Sequence, residues 1–178
     1  MSSKKDKYNS KDTFYMSLAL NLARQRLGFT GTNPPVGCVI VKKDKIISFG
    51  QTGTKGRPHA EYNAIKNCTE NLKNSTMYVS LEPCSHYGKT PPCTNLIINS
   101  KIKKIYFSIN DIDKRSSNSA KKILTSKNII VKRFQLKKEA VKLYKQYFFS
   151  KKNNSPYVVG KIACSRDNFI TSKNKYIT

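Results

Sequence analysis

Apolar positions along this chain follow two rhythms, one recurring every third or fourth residue and one falling in short continuous runs. Residues 13–27 place Phe14, Tyr15, Leu18, Ala19 and Leu22 on one helical face, with Asp12 positioned to cap the start and Gly28 to stop it. Thr32-Asn33-Pro34-Pro35 breaks the pattern as a loop. Residues 36–41 form a Val/Ile run expected to be a buried strand. Lys43-Asp44 makes a turn, and residues 45–50 return as a second strand. A glycine-rich loop over 51–58 leads to a helix over 59–68 with Pro58 at its mouth.

The rest of the chain alternates regularly. Strands are expected at 76–81, 103–109 and 129–134, and helices at 93–100, 119–127 and 137–149. The last helix turns Ala140, Leu143, Tyr144 and Tyr147 inward, and residues 82–92 form a loop with one short helical turn. An opening hairpin followed by alternating helices and strands predicts an α/β protein, a three-layer α/β/α sandwich over a five-stranded mixed sheet. Residues 151–155, Lys-Lys-Asn-Asn-Ser, read as a linker, and 156–178 are too few to make a domain by themselves. The domain reading is therefore a basic tail at 1–11, a main domain at 12–150 and an appended piece at 151–178.

Composition narrows the function classes. The chain has 178 residues and a formal net charge of +24. Such a charge is the electrostatic footprint of a nucleic-acid binder. The lysines are scattered, however, and few of the basic residues are Arg, which fits a compositional bias better, so no nucleic-acid partner is expected. A positive field of this size also attracts a phosphorylated small molecule. No apolar stretch is long enough to cross a membrane, so no membrane association is expected. The polar, basic start lacks the apolar centre of a secretory signal, which predicts a cytoplasmic protein. Five cysteines, an odd number, in that setting argue against a disulfide framework. Cys38 and Cys68 read as buried thiols.

Cys84 and Cys93 require another explanation. Pro58-His59-Ala60-Glu61 supplies one imidazole, and Glu82-Pro83-Cys84, followed after residues 85–92 by Cys93, supplies two thiolates. A Cys₂His set that leaves a fourth position to water is an established catalytic zinc arrangement. Glu61 lies two residues beyond the candidate ligand, near enough to move a proton without binding the metal. His, then Glu as general acid/base, then two cysteines, is the order of the zinc nucleobase deaminases. Two other readings use the same residues. His86 as a fourth ligand would close a structural site, and a non-enzymatic zinc scaffold would leave Glu61 without a purpose.

The string Glu82-Pro-Cys-Ser-His-Tyr-Gly-Lys-Thr-Pro-Pro-Cys93, together with Thr32-Asn-Pro-Pro-Val-Gly-Cys-Val39 and His59-Ala-Glu61, resembles the deaminase domain of the bifunctional riboflavin-biosynthesis deaminase/reductases, within the cytidine-deaminase-like group. Nucleic-acid deaminases of that group commonly separate the two cysteines by only two residues. The resemblance covers residues 12–150. It implies a cytidine-deaminase-like fold, one Zn²⁺ on His59, Cys84 and Cys93, and Glu61 as the catalytic acid/base. It also implies substrate contacts from Asn33, His86 and Lys89, and a homo-oligomer, either dimer or tetramer. The implied reaction is hydrolytic deamination of 2,5-diamino-6-(5-phosphoribosylamino)pyrimidin-4(3H)-one. The alternative is a nucleic-acid-editing deaminase acting on tRNA adenosine or cytidine.

Two departures from the family are visible. Gln51-Thr52 stands where the family often has Trp-His, which removes one expected substrate contact and leaves the Thr52 hydroxyl as a substitute donor. Residues 155–167 resemble the opening strand of the family's NADPH-dependent reductase domain, which needs well over a hundred further residues. No complete NADPH site and no reductase activity are expected in this chain. A separate reductase is a possible partner.

Overall fold

The computed structural model describes residues 10–133, 135–172 and 175–176. Helix α1 (Ser10–Arg24) is followed by the antiparallel pair β1 (Gly37–Lys42) and β2 (Lys45–Gln51), then α2 (Ala60–Lys66), β3 (Thr76–Val79), α3 (Cys93–Asn99), β4 (Lys104–Phe107), α4 (Ser119–Ser126), β5 (Ile130–Arg133) and α5 (Lys137–Asn153). The sheet order is β2-β1-β3-β4-β5. β1 runs antiparallel to both β2 and β3, whereas β3, β4 and β5 are mutually parallel. Helices α1 and α5 pack together on one face, and α2, α3 and α4 follow one another across the other. The expected three-layer α/β/α sandwich on a five-stranded mixed sheet is the architecture found.

The central strands read as continuous apolar runs because helices cover both their faces. Val39, Ile40, Met77, Val79, Ile105 and Phe107 are all essentially solvent-free. The edge strand β5 alternates between exposed and partly buried positions, and β2 buries Ser48 and Gly50 while exposing Phe49 between them, as half-covered strands do. Phe134, assigned from the sequence to the fifth strand, lies outside the described residues, as does most of the 1–11 tail.

Several local expectations are corrected. Helix α1 starts earlier than predicted, and its buried stripe is Tyr15, Met16, Ala19, Leu20 and Ala23. The predicted stripe is thus rotated by one residue, and Phe14 is 55% exposed. The cause is close packing: Ala19 and Ala23 face β1 at Gly37, where any Cβ would overlap the Ala19 carbonyl oxygen. Asp12 does not cap the helix. It sits inside α1 and accepts hydrogen bonds from Tyr78 (2.5 Å) and Tyr106 (3.0 Å). The glycine-rich loop contains a short 3₁₀ turn, Thr54–Gly56, whereas residues 82–92 contain no helical turn. Cys68 lies beyond the end of α2 and is only partly buried.

The expected linker is also partly helical. Helix α5 continues to Asn153, because nothing in 150–153 breaks it and Lys151 and Lys152 suit the negative end of the helix dipole. It stops where Asn154 takes a left-handed conformation (φ 50°). Beyond it, residues 155–170 carry no helix or strand, and Val158, Val159 and Ile162 are exposed. The stretch likened to an opening strand has no neighbouring strand to pair with among the described residues. The tail's only strands among the described residues form a small hairpin, Thr171–Ser172 with Lys175–Tyr176.

One contact sets the position of α2. A Cβ at Gly50 on β2 would overlap the Ala60 carbonyl oxygen and the Ala64 amide nitrogen, so only glycine lets the helix approach this closely. Gly50→Ala is expected to destabilise the protein by about 1–3 kcal/mol, the usual cost of overpacking a tight core. Chemical denaturation would show this as a lower midpoint with an unchanged slope.

Candidate active site

The pieces of the site come from the ends of core elements. His59 directly precedes α2 in extended conformation (φ −69°, ψ 157°), and its side chain makes no capping bond. Its ring turns instead toward two sulfurs. His59 Nδ1 lies 3.3 Å from Cys93 Sγ and 3.5 Å from Cys84 Sγ. Cys93 opens α3, and its backbone N–H donates to Cys84 Sγ at 3.2 Å. Helix α3 thus directs a positively polarised terminus at the sulfur of a residue that is not itself helical.

The geometry and the donor types suit a zinc ion. One ligand atom from each of His59, Cys84 and Cys93 lies within 4.8 Å of the others. Zinc bonds of ~2.0 Å to nitrogen and ~2.3 Å to sulfur, set tetrahedrally, separate N from S by about 3.5 Å. The two N···S distances match that spacing. The three groups bias one another's protonation. Hydrogen bonds from Cys93 and His59 bring the Cys84 thiol down to about 4. Its hydrogen bond to that thiolate, and then burial, hold Cys93 well up. The Cys84 hydrogen bond raises His59. The surroundings thus favour the thiolate form of Cys84, the form that binds a cation.

Glu61 faces the same cavity and is 4% exposed. Burial, and then the neighbouring Cys84 thiolate, push its carboxyl up to about 7. A carboxyl at that level exchanges its proton readily near neutral pH. His86 is not part of the metal trio: its Nδ1 lies 2.6 Å from Ser116 Oγ. The closed four-ligand site weighed from sequence is therefore absent among the described residues.

A cavity of about 410 Å³ joins these groups. Its walls include His59, Glu61 and Cys84 together with Asn33, His86 and Lys89. Asn33 is tied down by Nδ2 donating to the Gly56 carbonyl at 3.1 Å. Thr52 also lines the space, but its hydroxyl accepts the Val36 N–H at 2.9 Å and lies near the Val36 and Pro34 carbonyls. It is a backbone clamp and not the spare donor expected from sequence. Glu82 is structural. Its carboxylate accepts three backbone N–H groups, from Asp111 (3.2 Å), Asn118 (3.1 Å) and Ala120 (3.2 Å), and so anchors the start of α4.

Sequence reasoning missed two features of the cavity. Arg57, two residues before His59, reaches across to Thr90 Oγ1 at 2.8 Å. Asp113 is gripped by Arg115 at 2.9 and 2.6 Å and approached by Lys151 at 3.6 Å. Nearby, Asp111 accepts a hydrogen bond from Tyr147 at 3.0 Å. The only sequence signal for Arg57 was its nearness to His59. The Asp113 group joins the β4–α4 loop to the end of α5 and has no local signature.

Residues 9–109 match the family model described as the cytidine and deoxycytidylate deaminase zinc-binding region. Riboflavin biosynthesis protein RibD of Aquifex aeolicus is 39% identical over 170 residues, covering 94% of this chain and 48% of that protein. A diaminohydroxyphosphoribosylamino-pyrimidine deaminase of Buchnera aphidicola is 43% identical over 138 residues, covering 78% of this chain and 94% of that one. Among solved structures, a diaminohydroxyphosphoribosylaminopyrimidine deaminase/5-amino-6-(5-phosphoribosylamino)uracil reductase of Thermotoga maritima is 37% identical with a TM-score of 0.87, covering 94% of this chain and 50% of that one. The chain thus spans about half the length of the first curated relatives it matches. No helix among the described residues is long and apolar enough to cross a membrane. Together, the matched region and the relatives show that the chain belongs to the family of deaminases built on the cytidine and deoxycytidylate deaminase zinc-binding region.

Proposed function

We propose that this chain is a cytoplasmic enzyme of riboflavin biosynthesis that hydrolyses the 2-amino group of 2,5-diamino-6-(5-phosphoribosylamino)pyrimidin-4(3H)-one. The products are 5-amino-6-(5-phosphoribosylamino)uracil and ammonia. The observation that carries this is the convergence of His59, Cys84 and Cys93 beside a buried carboxyl that is not one of the three, all in a chain whose relatives bear that activity in their names. Residues 12–150 are the proposed catalytic unit. Residues 151–178, the first three of which finish α5, are its linker and the start of a second domain, and the enzyme works as a homo-oligomer.

His59, Cys84 and Cys93 hold one zinc ion per chain. When bound, such an ion lowers the pKa of water from about 15.7 toward about 7 and so supplies a nucleophile at neutral pH. The protein's own part is proton transfer and orientation. Glu61 takes a proton from the attacking water and delivers it to the ring nitrogen beside the reacting carbon. It then helps protonate the departing ammonia. Water enters, ammonia leaves, and the exocyclic C–N bond is replaced by C=O. Asn33 contacts the substrate from one wall, and His86 and Lys89 of the spacer meet the phosphoribosyl group from the other, Lys89 as a point charge.

Incubation of the zinc-loaded protein with the diaminopyrimidine nucleotide tests this directly. One ammonia released per substrate consumed is the expected result. No ammonia above the metal-free control would overturn it.

A further inference from the structure

The cations around the cavity are not equivalent. Arg115 and Lys151 are already paired with Asp113. Among the described residues no carboxylate pairs with Arg57, although its side chain is half-buried and lines the cavity. Arg57 Nη1 is engaged with Thr90 Oγ1 at 2.8 Å and lies 3.4 Å from His59 Nε2, while Nη2 is on the Gly88 side. A Cβ at Gly88 would lie 3.8 Å from Arg57 Nη2 and 3.8 Å from His86 Nε2. The glycine therefore leaves a gap flanked by two nitrogens.

The second nitrogen is also a donor. His86 Nδ1 lies 2.6 Å from Ser116 Oγ, and a hydroxyl can donate to it there. With Ser116 as donor to Nδ1, the neutral His86 ring carries its proton on Nε2. A guanidinium edge and an imidazole N–H converging on one gap suit a tetrahedral oxyanion, and a planar guanidinium is the side chain best shaped for phosphate.

We propose that Arg57 selects for a phosphorylated substrate, its guanidinium and the His86 Nε2–H taking phosphate oxygens in the gap above Gly88. The assignment rests on the nucleotide substrate proposed above, and it gives the selectivity to a residue other than Lys89. Because Arg57 also holds Thr90, the same side chain ties the Cys84–Cys93 spacer to the segment bearing His59.

The test compares binding of uridine 5′-monophosphate and uridine by titration calorimetry, with zinc-loaded protein at physiological ionic strength. Neither probe carries an exocyclic amine, so the result does not depend on deamination. Arg57→Gln is expected to weaken the monophosphate at least about tenfold, the scale of a lost charge-assisted hydrogen bond, and to leave uridine binding and zinc content at parental levels. Gly88→Ala, whose added methyl meets its neighbours at ordinary contact distance, fills the gap and is expected to weaken the monophosphate similarly. Thr90→Ala, which removes only the tether, is expected to bind it like the parent. Unchanged monophosphate affinity in Arg57→Gln would overturn the proposal. So would an equal loss in Thr90→Ala, since Arg57 would then act only by holding the spacer. Failure of ammonia release alongside retained monophosphate selectivity would count against the proposed reaction and not against this site.

Discussion

Glu61→Gln is expected to lower kcat by about 10²–10⁴-fold while the protein keeps one zinc per chain, the range that general acid/base catalysis normally supplies. The amide matches the carboxyl in shape and stays uncharged in its buried place, so folding and metal content should be conserved. It can neither accept the proton of the attacking water nor return one to the ring. Single-turnover ammonia release beside elemental analysis separates the two effects. A variant as active as the parent would show that proton transfer does not pass through this side chain.

Cys84→Ala is expected to fail differently, losing metal and turnover together. A Cys₂His set reduced to two ligands has lost one of its three protein donors. Disturbing only the outer partners of such a site already costs about 10–100-fold in affinity. Zinc per chain after dialysis should fall close to zero, and ammonia release to background. Cys84 is only partly buried, so the metal-free fold should tolerate the change better than it tolerates Gly50→Ala. Retention of one zinc per chain would remove Cys84 from the ligand set. In the parent, loading should release protons, since Cys93 is held protonated until a cation arrives. Zinc affinity should therefore rise with pH, which titration in buffers of different ionisation enthalpy would measure.

Much of the scaffold was legible because periodicity reports which faces meet an apolar neighbour. The runs around Val39, Met77 and Ile105 identify central strands, and Ala140, Leu143 and Tyr144 identify the inner face of α5. The first helix shows the limit of this approach. Phe14 and Met16 are both apolar, but which one turns inward depends on how closely α1 can approach Gly37, a contact between distant segments. The same holds at the site. His59, Glu61, Cys84 and Cys93 stand out because their types and spacing have few other uses. Asp113 with Arg115 and Lys151 does not stand out, because charged loop residues usually face water and only the fold brings these three together. The reading of Thr52 as a donor fails for a related reason, since nothing local reveals that its hydroxyl is occupied by the chain entering β1.

The three parallel strands have a consequence beyond this reaction. Chain segments leaving β3 and β4 emerge at the same rim of the sheet, and both border the cavity, the first through His86 and Lys89 and the second through Asp111 and Asp113. Neither segment belongs to the paired strands. Changing the residues of either one outside Cys84 changes the guest that fits while the backbone ladder beneath stays intact. Between Cys84 and Cys93, and again over residues 110–117, the lining of the cavity can thus change while the three candidate metal ligands keep their places.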